Sequence, residues 1–71
     1  MDDEQANFAR TMLEPIVKEF AKEIASQRAR GATEADIQLM LERVELTNQP
    51  VMDPDLFQFV MAMFREAAQA V

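Results

Sequence analysis

The chain has no cysteine, histidine, tryptophan or tyrosine, and a single glycine among its 71 residues. Each absence removes a chemistry. Without cysteine there is no disulfide to staple a small fold and no thiolate to attack a substrate or hold a metal. Without histidine the commonest metal ligand and general base is missing. One glycine, Gly31, cannot build a glycine-rich phosphate loop. A general base would have to be a carboxylate or a lysine, and a nucleophile would have to be Ser26, a threonine or a lysine. Glu19 and Glu23 share a helix face, but Lys18 and Lys22 stand beside them, so the group reads as a ladder of surface ion pairs rather than a catalytic dyad. The triplet D53-P54-D55 has the acidic opening of a calcium loop without its glycine or its distal glutamate. These exclusions predict a protein that is not an enzyme and that uses no cofactor, no metal and no small-molecule substrate.

Long apolar runs are also scarce. The longest, FVMAMF, has six residues, against roughly 20 for a membrane-spanning helix. The opening MDDEQ lacks the positive n-region and apolar core of a signal peptide. Together with the missing cysteine, these features point to a cytoplasmic protein that does not enter a membrane.

Positive charge is in short supply too, with seven Lys and Arg against thirteen Asp and Glu and a formal net charge of -6. The basic residues are scattered, with no interleaved aromatic residues, which argues against direct nucleic-acid binding. A helix-turn-helix drawn through Thr33 to Phe64 would present phenylalanines where polar base readers belong. The acids raise the opposite idea, a nucleic-acid mimic. Seven of the thirteen, however, are Asp2, Asp3, Glu4, Glu34, Asp36, Asp53 and Asp55, all at or beside expected helix starts, where capping and the helix dipole account for them. Of the others, Glu14 precedes Lys18 by four residues and Glu19 precedes Lys22 by three, spacings that suit ion pairs on one helix.

What is present is a strong helical pattern. Hydrophobic residues make up 49% of the chain, enough for an ordered single helical domain over residues 1–71, near the lower size limit for a self-sufficient core. Ala9, Leu13, Ile16, Val17, Phe20 and Ile24 recur at helical spacing within a stripe of roughly 100°. They predict a long helix over about residues 3–30, kinked at Pro15 and ending at Gly31 behind Arg28 and Arg30. Phe8 and Met12 fall off that stripe. A break near Thr11 to Glu14, giving four helices in all, is the alternative. T33-E34-A35-D36 has the form of a capping box and opens a second helix over about 34–47, with Ile37, Met40, Leu41 and Val44 inward, Leu39 outward, and Asn48 and Pro50 closing it. Asp53 as N-cap and Pro54 at the first helical position open a third helix over about 54–70. The fold class is therefore all-α, a small three-helix bundle completed by dimerisation. From the helix lengths, the two short helices are expected to lie in succession along the long one, leaving their common groove open at the ends.

The third helix contains LFQFVMAMF, Leu56 to Phe64, with three of the five phenylalanines and two of the six methionines. On a helical projection Leu56, Phe57, Val60, Met63 and Phe64 cluster around Val60, while Phe59 and Met61 lie about 100° to either side. The apolar arc is about 200° wide, twice what one packing contact covers. Either the helix is the centre of the bundle, flanked on both sides, or part of the arc is an interface. Methionine and phenylalanine suit an adaptable anchor, and soluble monomers rarely leave such a patch bare. Leu56, Phe57, Phe59, Val60, Met61, Met63 and Phe64 are thus the candidate partner or dimer interface. The reading that follows is a small acidic protein–protein interaction module, an adaptor or regulator, that binds another protein or itself as a homodimer. The alternatives are an inhibitor of phage type that blocks a nucleic-acid enzyme as an acidic decoy, and a purely structural assembly subunit.

Overall fold

The computed structural model describes residues 2–71. Helix α1 spans Asp3–Ala29, α2 spans Glu34–Asn48, a short 3-10 turn covers Gln49–Val51, and α3 spans Pro54–Ala70, with no strand among the described residues. The chain is a small all-α bundle of three helices.

Local chemistry sets the helix ends. The Asp2 carboxylate accepts a hydrogen bond from the Gln5 backbone N–H at 2.8 Å, and the Asp2 N–H donates to the Gln5 side chain at 3.3 Å. This capping box satisfies two backbone donors that would otherwise be orphaned. Thr33 and Asp36 make the same reciprocal pair at the start of α2, with bonds of 3.2 and 2.9 Å. Asp53 accepts from the N–H groups of Asp55 and Leu56 to open α3, with Pro54 at the first helical position. Gly31 follows α1 with φ of 94°, a left-handed conformation that glycine adopts without a Cβ penalty.

Helix α1 runs unbroken through Pro15, so the three-helix form holds and the four-helix alternative does not. Pro15 is exposed. It leaves the Thr11 carbonyl without its helical donor, at a position where water can take over.

The packing order differs from the expected succession of two short helices along a long one. Helix α3 alone lies along α1, running in the same direction: Arg10 stands over the Phe59 ring, Phe20 meets Phe64 edge-on at 5.1 Å between centroids, and the Arg28 guanidinium donates to the Ala68 carbonyl. Helix α2 packs mainly on α3, with the Glu45–Arg65 ion pair at 3.6 Å across that contact. Arg65 and Phe59 lie on opposite flanks of α3, about 120° apart on the helical projection. The wide apolar arc therefore has a neighbour on each side. Ile24 of α1, Ile37 and Leu41 of α2, and Val60, Phe64 and Ala68 of α3 form the core, with Leu13, Val17, Phe20, Met40 and Val44 packed around it.

One end of the bundle is tied by Arg28. Besides its bond to the last turn of α3, it reaches both carboxylate oxygens of Glu34 at the start of α2, at 3.2 and 3.3 Å. A cation at a helix C-terminus satisfies an orphan carbonyl and complements the dipole. The opposite end has no such tie among the described residues, and the candidate site lies there.

Candidate docking groove at the acidic end

Four of the seven residues expected at an interface are buried in the chain's own core: Val60 and Met61 at 1% exposure, Phe64 and Phe57 only slightly more open. Leu56, Phe59 and Met63 are half-buried. Leu56 packs against the core, and Phe59 lies beneath Arg10, whose guanidinium carbon is 5.5 Å from the ring centroid. The segment LFQFVMAMF thus serves mainly as the centre of the bundle, because α1 and α2 approach it from different sides.

The exposed apolar side chains are elsewhere. On α1, Phe8 is 68% exposed, Met12 61% and Ile16 56%. Ile16, expected within the buried stripe, is left open, and Phe8 and Met12 lie off that stripe as their phase requires. All three share one flank of the helix. Leu39 and Leu46 on α2 and Val51 in the 3-10 turn are also exposed; Leu39 borders a shallow cleft between α1 and α2, and none of the three lines the groove described next.

Beside Phe8 and Met12 opens a groove of about 1040 Å³. Its first wall is α1, through Gln5, Phe8, Ala9, Met12 and Leu13. Its second wall is the entry to α3, through Met52, Leu56 and Val60. The remaining lining residues are Asp2, Glu4, Asp53 and Asp55, four exposed carboxylate side chains from the starts of α1 and α3. No lysine or arginine lines the groove, and none of those carboxylates joins an ion pair among the described residues.

The groove has a structural cause. Further along α1, Glu23 and Gln27 face Asp36, Met40 and Arg43 of α2 across a shallow cleft. Gln5 and Ala9 precede Glu23 and Gln27 by about five full turns, so they have the same bearing on the helix. The flank of α1 that borders α2 at one end is therefore the flank that borders the groove at the other. At 1.5 Å per residue α1 is about 40 Å long and α2 about 22 Å, so about 18 Å of that flank, or three turns, has no covering helix. The groove expected from the sequence, shared by two short helices laid in succession along α1, is not the one found, and none of its lining residues except Leu56 and Val60 is among the expected interface residues. The signal that could have found it is the off-stripe phase of Phe8 and Met12, which on the sequence alone suggests a helix break instead.

No group of three or more acidic, histidine or cysteine side chains among the described residues is arranged to hold a metal ion. No helix among them is long and apolar enough to cross a membrane. Comparison with protein-family models, curated proteins and solved structures found no match to this chain.

Proposed function

We propose that this protein is a small protein–protein interaction module whose docking site is the groove between the first turns of α1 and the entry to α3. The observation that carries the reading is the pair Phe8 and Met12, more than half exposed beside a groove with an apolar floor. Leaving two large apolar side chains about two-thirds exposed on a small acidic protein forgoes about 1–2 kcal/mol of burial for each, which a bound partner would recover. The groove is long and open, unlike the concave sites that enclose most of a small ligand. It suits a secondary-structure element of another protein. In this reading the protein acts as an adaptor or regulator, and α3 supplies the rigid support on which the groove is built.

The test is photo-crosslinking in the cells of origin. A photoreactive residue replacing Met12 should give discrete protein adducts that the same residue replacing Gln38, on the exposed face of α2, does not. Identical adduct patterns from the two positions, or none from either, would sink the reading.

A further inference from the structure

The chemistry of the groove specifies its occupant more closely, and this inference rests on the docking reading above. We infer that the groove receives a basic amphipathic helix of about three turns, with apolar anchors on one face and lysine or arginine on its flanks. Shape supplies the first part. Helix α2 borders the same α1 flank lower down, across the shallow cleft between Glu23 and Gln27 on one side and Asp36, Met40 and Arg43 on the other, and the stretch of flank beyond α2, about 18 Å, matches roughly twelve helical residues. Anchors at i, i+3 or i+4, and i+7 would meet Phe8, Met12 and the Leu56 side of the floor, the usual mode of a helix in an apolar groove.

Charge supplies the second part. Asp2, Glu4, Asp53 and Asp55 line the groove with no lysine or arginine among the lining residues. The N-termini of α1 and α3 contribute about half a positive charge each, which offsets roughly one of the four negative charges. The groove therefore keeps a net negative character in the place where a partner's flanking side chains would lie. A second copy of this chain is a poor fit. Its own exposed stripe, Phe8 to Ile16, follows directly on Asp2, Asp3 and Glu4, so reciprocal insertion would bring acids against acids. Like charges across a contact cost affinity and slow encounter.

The test uses three designed helical peptides of about fourteen residues with one shared leucine and isoleucine face, carrying lysine and arginine, serine and glutamine, or glutamate on the other face. Binding is read by fluorescence polarisation, and the site by amide chemical-shift changes on the full chain. The basic peptide should bind, shifting amides around Phe8, Met12 and Met52. The glutamate peptide should bind at least tenfold more weakly. The double variant Glu4→Gln with Asp55→Asn leaves both capping aspartates in place and should weaken the basic peptide by roughly three- to tenfold, in line with exposed pair energies. Added salt should erase that difference. Equal binding of all three peptides at the groove would overturn the charge assignment and leave the docking reading standing. Binding of none, with Met12 adducts in cells still observed, would overturn the helical occupant. Self-adducts from Met12, with a dimer in light scattering, would assign the groove to a second copy and also overturn the inference.

Discussion

Met61 and Met12 are the same residue type on two helices, and the fold gives them opposite roles. Met61 is 1% exposed at the centre of the bundle, and Met12 is 61% exposed on the rim of the groove. Truncating Met61 to alanine removes a fully buried side chain and leaves a cavity. Such losses cost about 2–5 kcal/mol, and about 3 kcal/mol is a fair central value. A chain of this length has a total stability of about 4–11 kcal/mol, so the change removes a large fraction of it. With a midpoint shift of about 4–8 °C per kcal/mol for small domains, Met61→Ala should lower the thermal midpoint by about 12–24 °C. Met12→Ala loses little burial and gains slightly in helix propensity, so its effect should stay within about 0.5 kcal/mol. Far-ultraviolet circular dichroism on heating and in urea measures both, at two protein concentrations an order of magnitude apart. If Met12→Ala cost as much as Met61→Ala, the groove face would be covered in solution. Concentration dependence of the midpoint would then identify a second copy as the cover, and the groove would not be a free docking surface.

Two further substitutions probe the backbone. Gly31→Ala meets no heavy atom within 4 Å of the added Cβ, so its cost is the left-handed conformation alone, about 1–2 kcal/mol; an unchanged urea midpoint would mean that α1 ends differently. Pro15→Ala restores an N–H donor to the Thr11 carbonyl in an exposed helix interior. It should stabilise the chain by about 2–2.6 kcal/mol, the helix gain of roughly 3 kcal/mol being offset by about 0.4–1 kcal/mol from a freer unfolded state. A loss of stability in the same urea titration would show that Pro15 is needed for packing.

The parts of this fold legible in the sequence are those fixed by neighbours along the chain. Thr33 with Asp36, Asp53 with Pro54, and Gly31 each announce a helix end through a local hydrogen bond or a local dihedral, and each does so in the structure. Asp2 and Gln5 have the same spacing, and their capping box could have been read in the same way. The width of the apolar arc on α3 was also legible. What covers it was not, because one neighbour plus an interface and two neighbours on opposite flanks leave the same mark on a helical projection. Phe8 and Met12 illustrate the converse. Their phase departs from the buried stripe, a departure that fits either a broken helix or an intact helix with an unoccupied flank, and only the tertiary arrangement distinguishes them. The 3-10 turn at Gln49–Val51 extends a helix end that Asn48 and Pro50 mark only as a stop.

The acidity of the groove follows from topology. Taken singly, Asp2, Asp3, Glu4, Asp53 and Asp55 are accounted for by capping and by the dipoles of the helices they open. Helices α1 and α3 run in the same direction, however, so both acidic starts lie at one end of the bundle, where an antiparallel pair would have placed them at opposite ends. Helix α2 runs back against both, and its acidic start meets the other end, where Arg28 pairs with Glu34 and caps the last turn of α3. Among the described residues a helix-start acid is thus paired at one end and none at the other, and the unpaired end is also where α1 extends beyond α2. Residues that serve to start helices become, through the direction in which those helices pack, a shared negative field over the apolar groove between α1 and α3.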